Sequence, residues 1–288
     1  MMSGARVTAD VPVDALRECR ALTRRQARNF YYGLRLLPEP QRSALFAIYA
    51  WMRAADDIAD GANHDDRLAE LEAFRAATDA VLMGNAPAGE LWSAFGYVVN
   101  RFELPPGPFH AMLEGQLDDL RNRRYHTFDD LADYCRKVAS TVGVICIEIW
   151  GYSDPEARDL AVDRGIAFQL TNIIRDFAAD FDDGRTYLPT EDFAAAGLEP
   201  ADVRRWSDPD ACHAFMSKQI ERAETYFSRS EPLDALVTPS CRPTLRAMTG
   251  IYRQLLHKAA RDPARLVEGR LSLSRMAKAR IALQARWR

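Results

Sequence analysis

A chain of 288 residues exceeds the usual size of one domain, yet an all-helical fold can hold it around a single large core. Its net charge of −3 and its isoelectric point near 6.0 give no general attraction to nucleic acid, and no apolar run approaches the ~18 residues that cross a bilayer. Five cysteines without a Cys-x-x-Cys pair, and no signal peptide, favour reduced thiols in a cytoplasmic protein.

Long proline-free stretches between clustered prolines predict helices, and strand-like alternation is scarce. Residues 1–12 lack a periodic apolar pattern, so we expect a flexible tail followed by one folded domain over residues 13–288. The predicted helices cover residues 13–27, 41–61, 65–83, 90–102, 107–122, 128–152, 155–182, 209–230, 243–260 and 272–286. The sequence therefore predicts an all-α, single-domain protein.

The second predicted helix carries the first group of acidic residues. Tyr49 and Arg53, then Asp56 or Asp57, and finally Asp60 follow each other at helical spacings, so they share one face. Taken alone, this pattern fits an exposed helix whose carboxylates pair with Arg53 and with water, because surface ion pairs are common and nearly neutral in energy. A second motif of the same kind changes that interpretation.

This second motif lies in the helix predicted over residues 155–182. Gln169, Asn172, Asp176 and Asp180 form one polar stripe, while the other faces are apolar, so we expect the helix to be largely buried. Buried carboxylates need cations nearby, supplied either by metal ions or by basic side chains, of which Arg175 and Arg185 are the nearest in sequence.

Two Asp-x-x-x-Asp helices in one chain suggest a shared site. Hard oxygen ligands without a neighbouring His or Cys favour Mg²⁺, and proteins usually hold Mg²⁺ by one or two carboxylates together with a substrate phosphate. The residues alone thus indicate a diphosphate bound through Mg²⁺ between two acidic helices, with Asp56, Asp60, Asp176 and Asp180 as metal ligands.

Three ordered signatures resemble the squalene/phytoene synthase family, which joins two prenyl diphosphates head to head. They begin at Tyr49, at Tyr134 and at Gln169, and they read Tyr-Ala-x-x-Arg-x-x-Asp-Asp-x-x-Asp, Tyr-Cys-x-x-Val-Ala-x-x-Val-Gly, and Gln-Leu-Thr-Asn-Ile-x-Arg-Asp-x-x-x-Asp followed by Gly-Arg-x-Tyr-Leu-Pro. The resemblance extends from Asn29 to the C-terminal helix. It implies an isoprenoid-synthase helical bundle around a central apolar cavity, with residues 13–288 as the catalytic domain.

The resemblance also assigns roles to residues. Asp56, Asp60, Asp176 and Asp180, with Asn172, would hold Mg²⁺, and Tyr49 and Tyr134 would act in catalysis beside these aspartates. Substrate would be bound by Arg53, Gln169, Asn172, Arg175, Arg185, Asn29, Phe30 and Tyr252. Ala27 and Asn29 depart from the family, which usually has hydroxyl side chains there, so the groups that replace those serines stay open. In the segment from Glu114 to Arg121, Gln116, Asp118 or Asp119 either reaches the substrate or belongs to a solvated helix end.

For the activity, the resemblance implies Mg²⁺-dependent condensation of two prenyl diphosphates, here farnesyl diphosphate, to presqualene diphosphate. The basis for this product is a likeness of the aromatic segment 29–32 and of residues 144–152 to bacterial hopanoid-pathway enzymes. Phytoene or dehydrosqualene synthase and squalene or hydroxysqualene synthase are the alternatives within the family. Outside it stand a terpene cyclase, which usually has a different second motif, and a non-catalytic assembly subunit, which would have lost one acidic motif.

The C-terminal stretch from Leu271 to Arg288 is basic and amphipathic. It allows a peripheral contact with a membrane surface, and the alternative is a core helix whose Arg and Lys side chains are merely solvated. The resemblance further implies prenyl diphosphates and downstream isoprenoid enzymes as partners. Neither the length of the substrate, C15 or C20, nor the oligomeric state can be read from one sequence.

Overall fold

The computed structural model describes residues 11–26, 30–59 and 64–287. Sixteen α-helices occur in these ranges, and Tyr152 and Val237 form an isolated β-bridge. Their bounds are α1 Val13–Gln26, α2 Phe30–Leu34, α3 Gln41–Ala59, α4 His64–Leu82, α5 Glu90–Phe102, α6 Gly107–Leu120, α7 Phe128–Cys135, α8 Thr141–Trp150, α9 Ala157–Asp182, α10 Thr190–Ala196, α11 Pro200–Arg205, α12 Pro209–Arg229, α13 Leu233–Leu236, α14 Arg242–Arg261, α15 Arg265–Glu268 and α16 Arg275–Trp287. The prediction of an all-α fold is confirmed.

Two apolar clusters form the core, and the second half of this helical bundle packs around α9. The first cluster surrounds Trp51, which is fully buried, stacks on Phe95 at 5.3 Å and donates its indole N–H to Thr78 Oγ1 at 3.1 Å. The second cluster lies between α9, α12 and α14. Together the clusters place the 26-residue α9 next to α8, α12 and α14, which is why its predicted burial is observed.

Close helix approach is possible because two glycines face a short π-helical segment, Arg136–Ser140, between α7 and α8. A Cβ atom on Gly165 of α9 would lie 2.4 Å from the Ser140 Cα, and one on Gly115 of α6 would lie 2.4 Å from a methyl group of Val138. The Ser140 hydroxyl also donates to the Val162 carbonyl at 2.7 Å. These contacts lock α6, the π-helical segment and α9 together.

Most long helices begin and end within a few residues of their predicted bounds. The helix predicted over residues 128–152 is observed as one helical run over Phe128–Trp150, which consists of α7, the π-helical segment and α8. The irregular segment predicted after Pro189 instead contains the short helices α10 and α11. Residues 1–10 lie outside the described residues, so the flexible tail over 1–12 stays a prediction. Within the described part, no helix is both long and apolar enough to span a membrane.

Candidate active site

A cavity of about 340 Å³ lies between the two core clusters, bounded by α3, α6, α8, α9 and α14. Most of its lining is apolar, contributed by side chains such as Met112, Val138, Ile147, Phe168 and Met248. Its polar and charged lining residues are Asp56, Gln116, Asp119, Tyr134, Arg164, Gln169, Asn172, Arg185 and Tyr252. Asp56, Tyr134, Gln169, Asn172, Arg185 and Tyr252 were all named from the sequence, so the fold brings these predicted residues to one place.

The carboxylate of Asp56 is oriented by a residue from another helix. Gln116 on α6 donates its side-chain N–H to Asp56 Oδ1 at 2.7 Å, and Gln116 itself is only 6% exposed. A buried hydrogen bond to a carboxylate holds the side chain in one orientation, because an unpaired amide would be costly in the interior. The open question about residues 114–121 is thus answered in part, since Gln116 and Asp119 line the cavity.

Asp119, which also lines the cavity, accepts hydrogen bonds from two tyrosines. The Tyr134 and Tyr187 hydroxyls donate to its carboxylate at 2.9 and 3.0 Å, and the rings of these two tyrosines stack at 5.3 Å. Burial raises the pKa of Asp119 to about 6, although the two hydroxyls and the Arg185 guanidinium act in the opposite direction. Its neighbour Asp118 forms an ion pair with Lys137 at 2.7 Å.

On α9, the amide residues of the predicted polar stripe form a linked set. Asn172 donates to Gln169 Oε1 at 3.3 Å, and its Oδ1 is buried without a hydrogen-bond partner among the described residues. Tyr252, beside Asn172, stacks on Phe168 with ring centroids 4.3 Å apart, and burial raises the pKa of its phenol. This pair places aromatic surface on the cavity wall next to an amide oxygen that has room for a cation.

Asp176 lies one turn further along α9 and is paired with basic side chains. Arg175 Nε donates to its Oδ1 at 2.8 Å, and Arg270 Nε, from the segment before α16, donates to the same oxygen at 2.9 Å. The Arg175 side chain is buried, whereas that of Arg270 is 65% exposed. Burial, followed by the positive charges of Arg175 and Arg270, lowers the pKa of Lys278 on α16.

Asp180 completes the second acidic motif. Burial, followed by the neighbouring negative charge of Asp176, raises the pKa of Asp180 to about 7, while the Arg185 guanidinium lowers it. Asp119 adds a further negative charge from α6. The charges of Asp119, Asp176 and Asp180 therefore repel one another, as expected for a site that binds cations. Of these three carboxylates, Asp119 lines the cavity and the two on α9 do not.

Tyr49, Arg53 and Asp57 of the first motif do not line the cavity. Arg53 pairs with Asp57 on α3, and its Nε is buried without a hydrogen-bond partner among the described residues. Burial raises the pKa of the Tyr49 phenol. Asp60 and Asn29 lie outside the described residues, as does the side chain of Phe30, so their roles stay predictions.

Among the described residues, no group of three His, Cys, Asp or Glu side chains is arranged to hold one metal ion. The donors nevertheless suit Mg²⁺, which takes one or two carboxylates and completes its shell with substrate phosphate and water. Asp56, Asp176, Asp180 and the unpartnered Asn172 Oδ1 offer only hard oxygen ligands. The residues that would hold Mg²⁺ therefore match the chemistry of that ion.

The sequence pattern of the squalene/phytoene synthase family matches residues 23–277. The chain belongs to this family. It is 35% identical over 256 residues to the 15-cis-phytoene synthase of Synechococcus elongatus, an alignment that covers 84% of this chain and 83% of the relative. It is also 35% identical to the phytoene synthase of Mycobacterium bovis, over 94% of this chain and 90% of that one.

Solved structures agree with this membership in the squalene/phytoene synthase family. A dehydrosqualene synthase in complex with a ligand superposes with a TM-score of 0.85 at 25% identity, covering 96% of each chain. The squalene synthase HpnC of Alicyclobacillus acidocaldarius superposes with a TM-score of 0.81 at 27% identity, covering 90% of this chain and 97% of that one. As a member of this family, the protein is a prenyltransferase of the head-to-head type.

The sequence analysis of this squalene/phytoene synthase family member did not assign three residues that contact the acidic side chains of the site. Gln116 was one of several candidates in its helix, Tyr187 was noticed only as part of a motif, and Arg270 was not singled out. The C-terminal segment contains many arginines, and nothing in the sequence indicates that Arg270 is the one that reaches Asp176, 94 residues away.

Proposed function

We propose that the protein condenses two prenyl diphosphates head to head in a Mg²⁺-dependent reaction that passes through a cyclopropyl diphosphate. The observation that carries this proposal is that Asp56 of α3 and Asp119 of α6 line one apolar cavity, and that Asp180 of α9 lies close enough to Asp119 for their charges to interact. A diphosphate group suits the acidic and basic end, and a prenyl chain suits the rest of the cavity.

The acidic and the basic residues of the site would bind different parts of the Mg²⁺–diphosphate group. Asp56, Asp176 and Asp180 would hold Mg²⁺, and Mg²⁺ would neutralise the charge that grows on the departing diphosphate. Arg185, which lines the cavity, and Arg270, which is exposed beside Asp176, would bind phosphate oxygens directly through their planar guanidinium groups. Because Arg270 pairs with Asp176, its guanidinium would transfer from carboxylate to phosphate.

Departure of diphosphate leaves an allylic cation, which water would quench. The apolar cavity excludes water, and the aromatic faces of Phe168, Tyr252 and Tyr134 stabilise positive charge as it moves toward the second prenyl chain. Attack by the double bond of that second chain, followed by proton loss to the released diphosphate, closes the cyclopropane ring. None of these steps needs a nucleophile from the protein.

For the product, we propose presqualene diphosphate made from farnesyl diphosphate, on the likeness of residues 144–152 to hopanoid-pathway enzymes. Phytoene synthesis from geranylgeranyl diphosphate is the second candidate, because the relatives at 35% identity are phytoene synthases. Presqualene diphosphate is amphiphilic and phytoene is a hydrocarbon, so both carry long apolar chains that suit transfer to downstream isoprenoid enzymes or to a membrane surface.

The test is incubation of the purified protein with Mg²⁺ and radiolabelled farnesyl or geranylgeranyl diphosphate, followed by solvent extraction before and after phosphatase treatment. A product extracted only after phosphatase treatment indicates that the reaction stops at the cyclopropyl diphosphate. A hydrocarbon extracted directly from geranylgeranyl diphosphate supports the phytoene candidate. Absence of turnover with both substrates would contradict the proposed reaction.

We expect Asp56→Asn and Asp176→Asn to abolish turnover with little change in helical content or melting temperature, because Asn keeps the shape of Asp but lacks the charged oxygen that would hold Mg²⁺. The matched control is Asp159→Asn, an exposed carboxylate in the first turn of the same helix as Asp176. The control is expected to keep its activity. Full activity of either site variant would remove the metal-binding assignment.

A further inference from the structure

An exposed apolar stripe runs along the C-terminal helix α16. Met276, Leu283 and Trp287 are 84%, 60% and 82% exposed, and they are three of the six large hydrophobic side chains most open to solvent among the described residues. Spacings of seven and four residues put all three on one face of the helix. Such exposure of large apolar side chains is unfavourable in water, and their alignment on one face indicates an interaction surface.

The opposite face of α16 attaches the helix to the protein. Ala285 is 5% exposed, and a Cβ atom on Gly250 of α14 would lie only 2.8 Å from Ile281 Cγ2, so the two helices approach closely. α16 packs on α14 and α2. Because this inner face is fixed, the stripe points away from the core.

Basic residues flank the stripe. Arg275, Arg280 and Arg286 are exposed, and the chain has no acidic residue after Glu268. The segment 261–288 contains eight basic and two acidic residues, although the whole chain carries a net charge of −3. Exposed positive charge on α16 therefore lies on the same helix as the exposed side chain of Trp287.

We propose that the outer face of α16 docks on a membrane surface rich in anionic lipids. Trp and Leu enter the boundary between headgroups and acyl chains, while arginine side chains reach the lipid phosphates from the same face. A second copy of the chain fits this surface less well. In a two-fold contact, the same arginines would face each other without any acidic partner on the helix.

The position of α16 relative to the cavity suggests a function for membrane docking. Leu245, Met248 and Tyr252 on α14 line the cavity, and α14 is the helix that supports α16. A bilayer that contacts α16 would thus lie one helix away from the apolar cavity. This proposal concerns a surface outside the candidate active site, so it holds whichever prenyl diphosphate the protein uses.

The test is co-sedimentation of the full-length protein with vesicles of phosphatidylcholine alone or of phosphatidylcholine mixed with phosphatidylglycerol. We expect binding to the anionic vesicles that falls with added salt, and at least about tenfold weaker binding to the neutral ones. Failure of the unmodified protein to bind anionic vesicles at low salt would overturn the proposal.

Variants separate the apolar from the electrostatic contribution. We expect Trp287→Ser to lower the partition constant about tenfold, and Arg280→Gln and Arg286→Gln to lower it about fivefold each. Met83→Ser, at another exposed methionine, and Arg20→Gln, at an exposed arginine of α1, serve as matched controls and are expected to bind like the unmodified protein. Size-exclusion chromatography with light scattering is run on the same samples. Equal binding by all variants, or a dimer that only Trp287→Ser disrupts while vesicle binding is unchanged, would overturn the proposal.

Discussion

At the scale of single residues, the carboxylates of the site differ in what compensates their charge. Asp176 is paired with two guanidinium groups, from Arg175 and Arg270. Asp56 instead accepts a neutral N–H from Gln116. This neutral donor fixes the orientation of the Asp56 carboxylate, whose negative charge also interacts with Arg53 on the same helix.

We expect Gln116→Leu to reduce kcat/KM by ten- to a hundredfold and to raise the Mg²⁺ concentration needed for half-maximal rate. The reason is that a hydrogen bond to a charged group contributes about 1.5–3 kcal/mol, and Asp56 without it has no fixed orientation. The measurement is steady-state turnover across a Mg²⁺ titration. Gln254→Leu, at an exposed position of α14, is the control. An unchanged Mg²⁺ dependence in Gln116→Leu would show that the hydrogen bond has no part in positioning Asp56.

At the scale of elements, the shape of the cavity depends on how closely α9 approaches the π-helical segment Arg136–Ser140. The nearest atoms to a Cβ on Gly165 would be backbone atoms of Ser140, at 2.4 and 2.6 Å, and backbone cannot move aside as a flexible side chain can. Val138 and Ala139 of that segment line the cavity. Any separation of the two elements would therefore change the space for the prenyl chain.

Gly165→Ala is expected to lower the free energy of unfolding by about 1–3 kcal/mol, because the added methyl group overlaps Ser140. Gly107→Ala is the control, since a Cβ atom there meets nothing within 4 Å. We expect the control to change the free energy of unfolding by less than about 0.5 kcal/mol. Urea unfolding measures both variants, and equal stability of the two would mean that α9 can shift without cost.

A second contact between elements, of α10 with α12, gives a pH-dependent expectation. Asp192 is 3% exposed and accepts hydrogen bonds from Lys218 at 2.8 Å and Gln219 at 3.1 Å, and it is also paired with Arg222. Burial acts to raise the pKa of Asp192, but the hydrogen bonds from Arg222, Lys218 and Gln219 outweigh burial and hold this pKa below its ordinary value.

Because the pKa of Asp192 is lower in the folded state than in the unfolded chain, its contribution is present at neutral pH and is lost as pH falls through the folded pKa. We expect Asp192→Asn to lower the free energy of unfolding by about 2 kcal/mol at pH 7, and the difference from the unmodified protein to shrink below pH ~4. Denaturant unfolding at several pH values measures this difference. A constant difference between pH 7 and pH 3 would contradict the assigned ionisation of Asp192. Asp210→Asn, an exposed carboxylate on α12, is the control.

At the scale of the whole molecule, the sequence predicts the features that depend on regular spacing of residues along the chain. The polar stripe of α9 and the long helices follow from apolar spacing, and both acidic motifs could be found because their members are one helical turn apart. Contacts between distant segments could not be found in this way. Gln116 and Asp56 are 60 residues apart, and Tyr187 and Asp119 are 68 residues apart, so only the packed fold brings these partners together.

The sequence analysis also missed two short helices, because they too depend on contacts with distant segments. α10 and α11 have seven and six residues, fewer than two full turns, so no apolar period can develop within them. Both are held by neighbours instead, α10 by α12 and α11 by α9 and α15. The polar end of the cavity shows the same dependence on tertiary context, since Arg270 lies outside any motif and reaches Asp176 from the segment before α16.

The cavity between the two core clusters also predicts how substrate binding affects stability. A ligand that binds only the folded state at 100 times its Kd adds about 2.7 kcal/mol to the free energy of unfolding, which raises Tm by about 5–10 °C in a protein of this size. We expect this rise with a non-hydrolysable farnesyl thiodiphosphate in the presence of Mg²⁺, and a much smaller rise without the ion. In Asp56→Asn, we expect the Mg²⁺-dependent part of the rise in Tm to disappear and the part due to burial of the prenyl chain to remain. An equal rise in Asp56→Asn would mean that Asp56 takes no part in binding the diphosphate, and a larger rise with the geranylgeranyl analogue at matched concentration would favour the longer substrate.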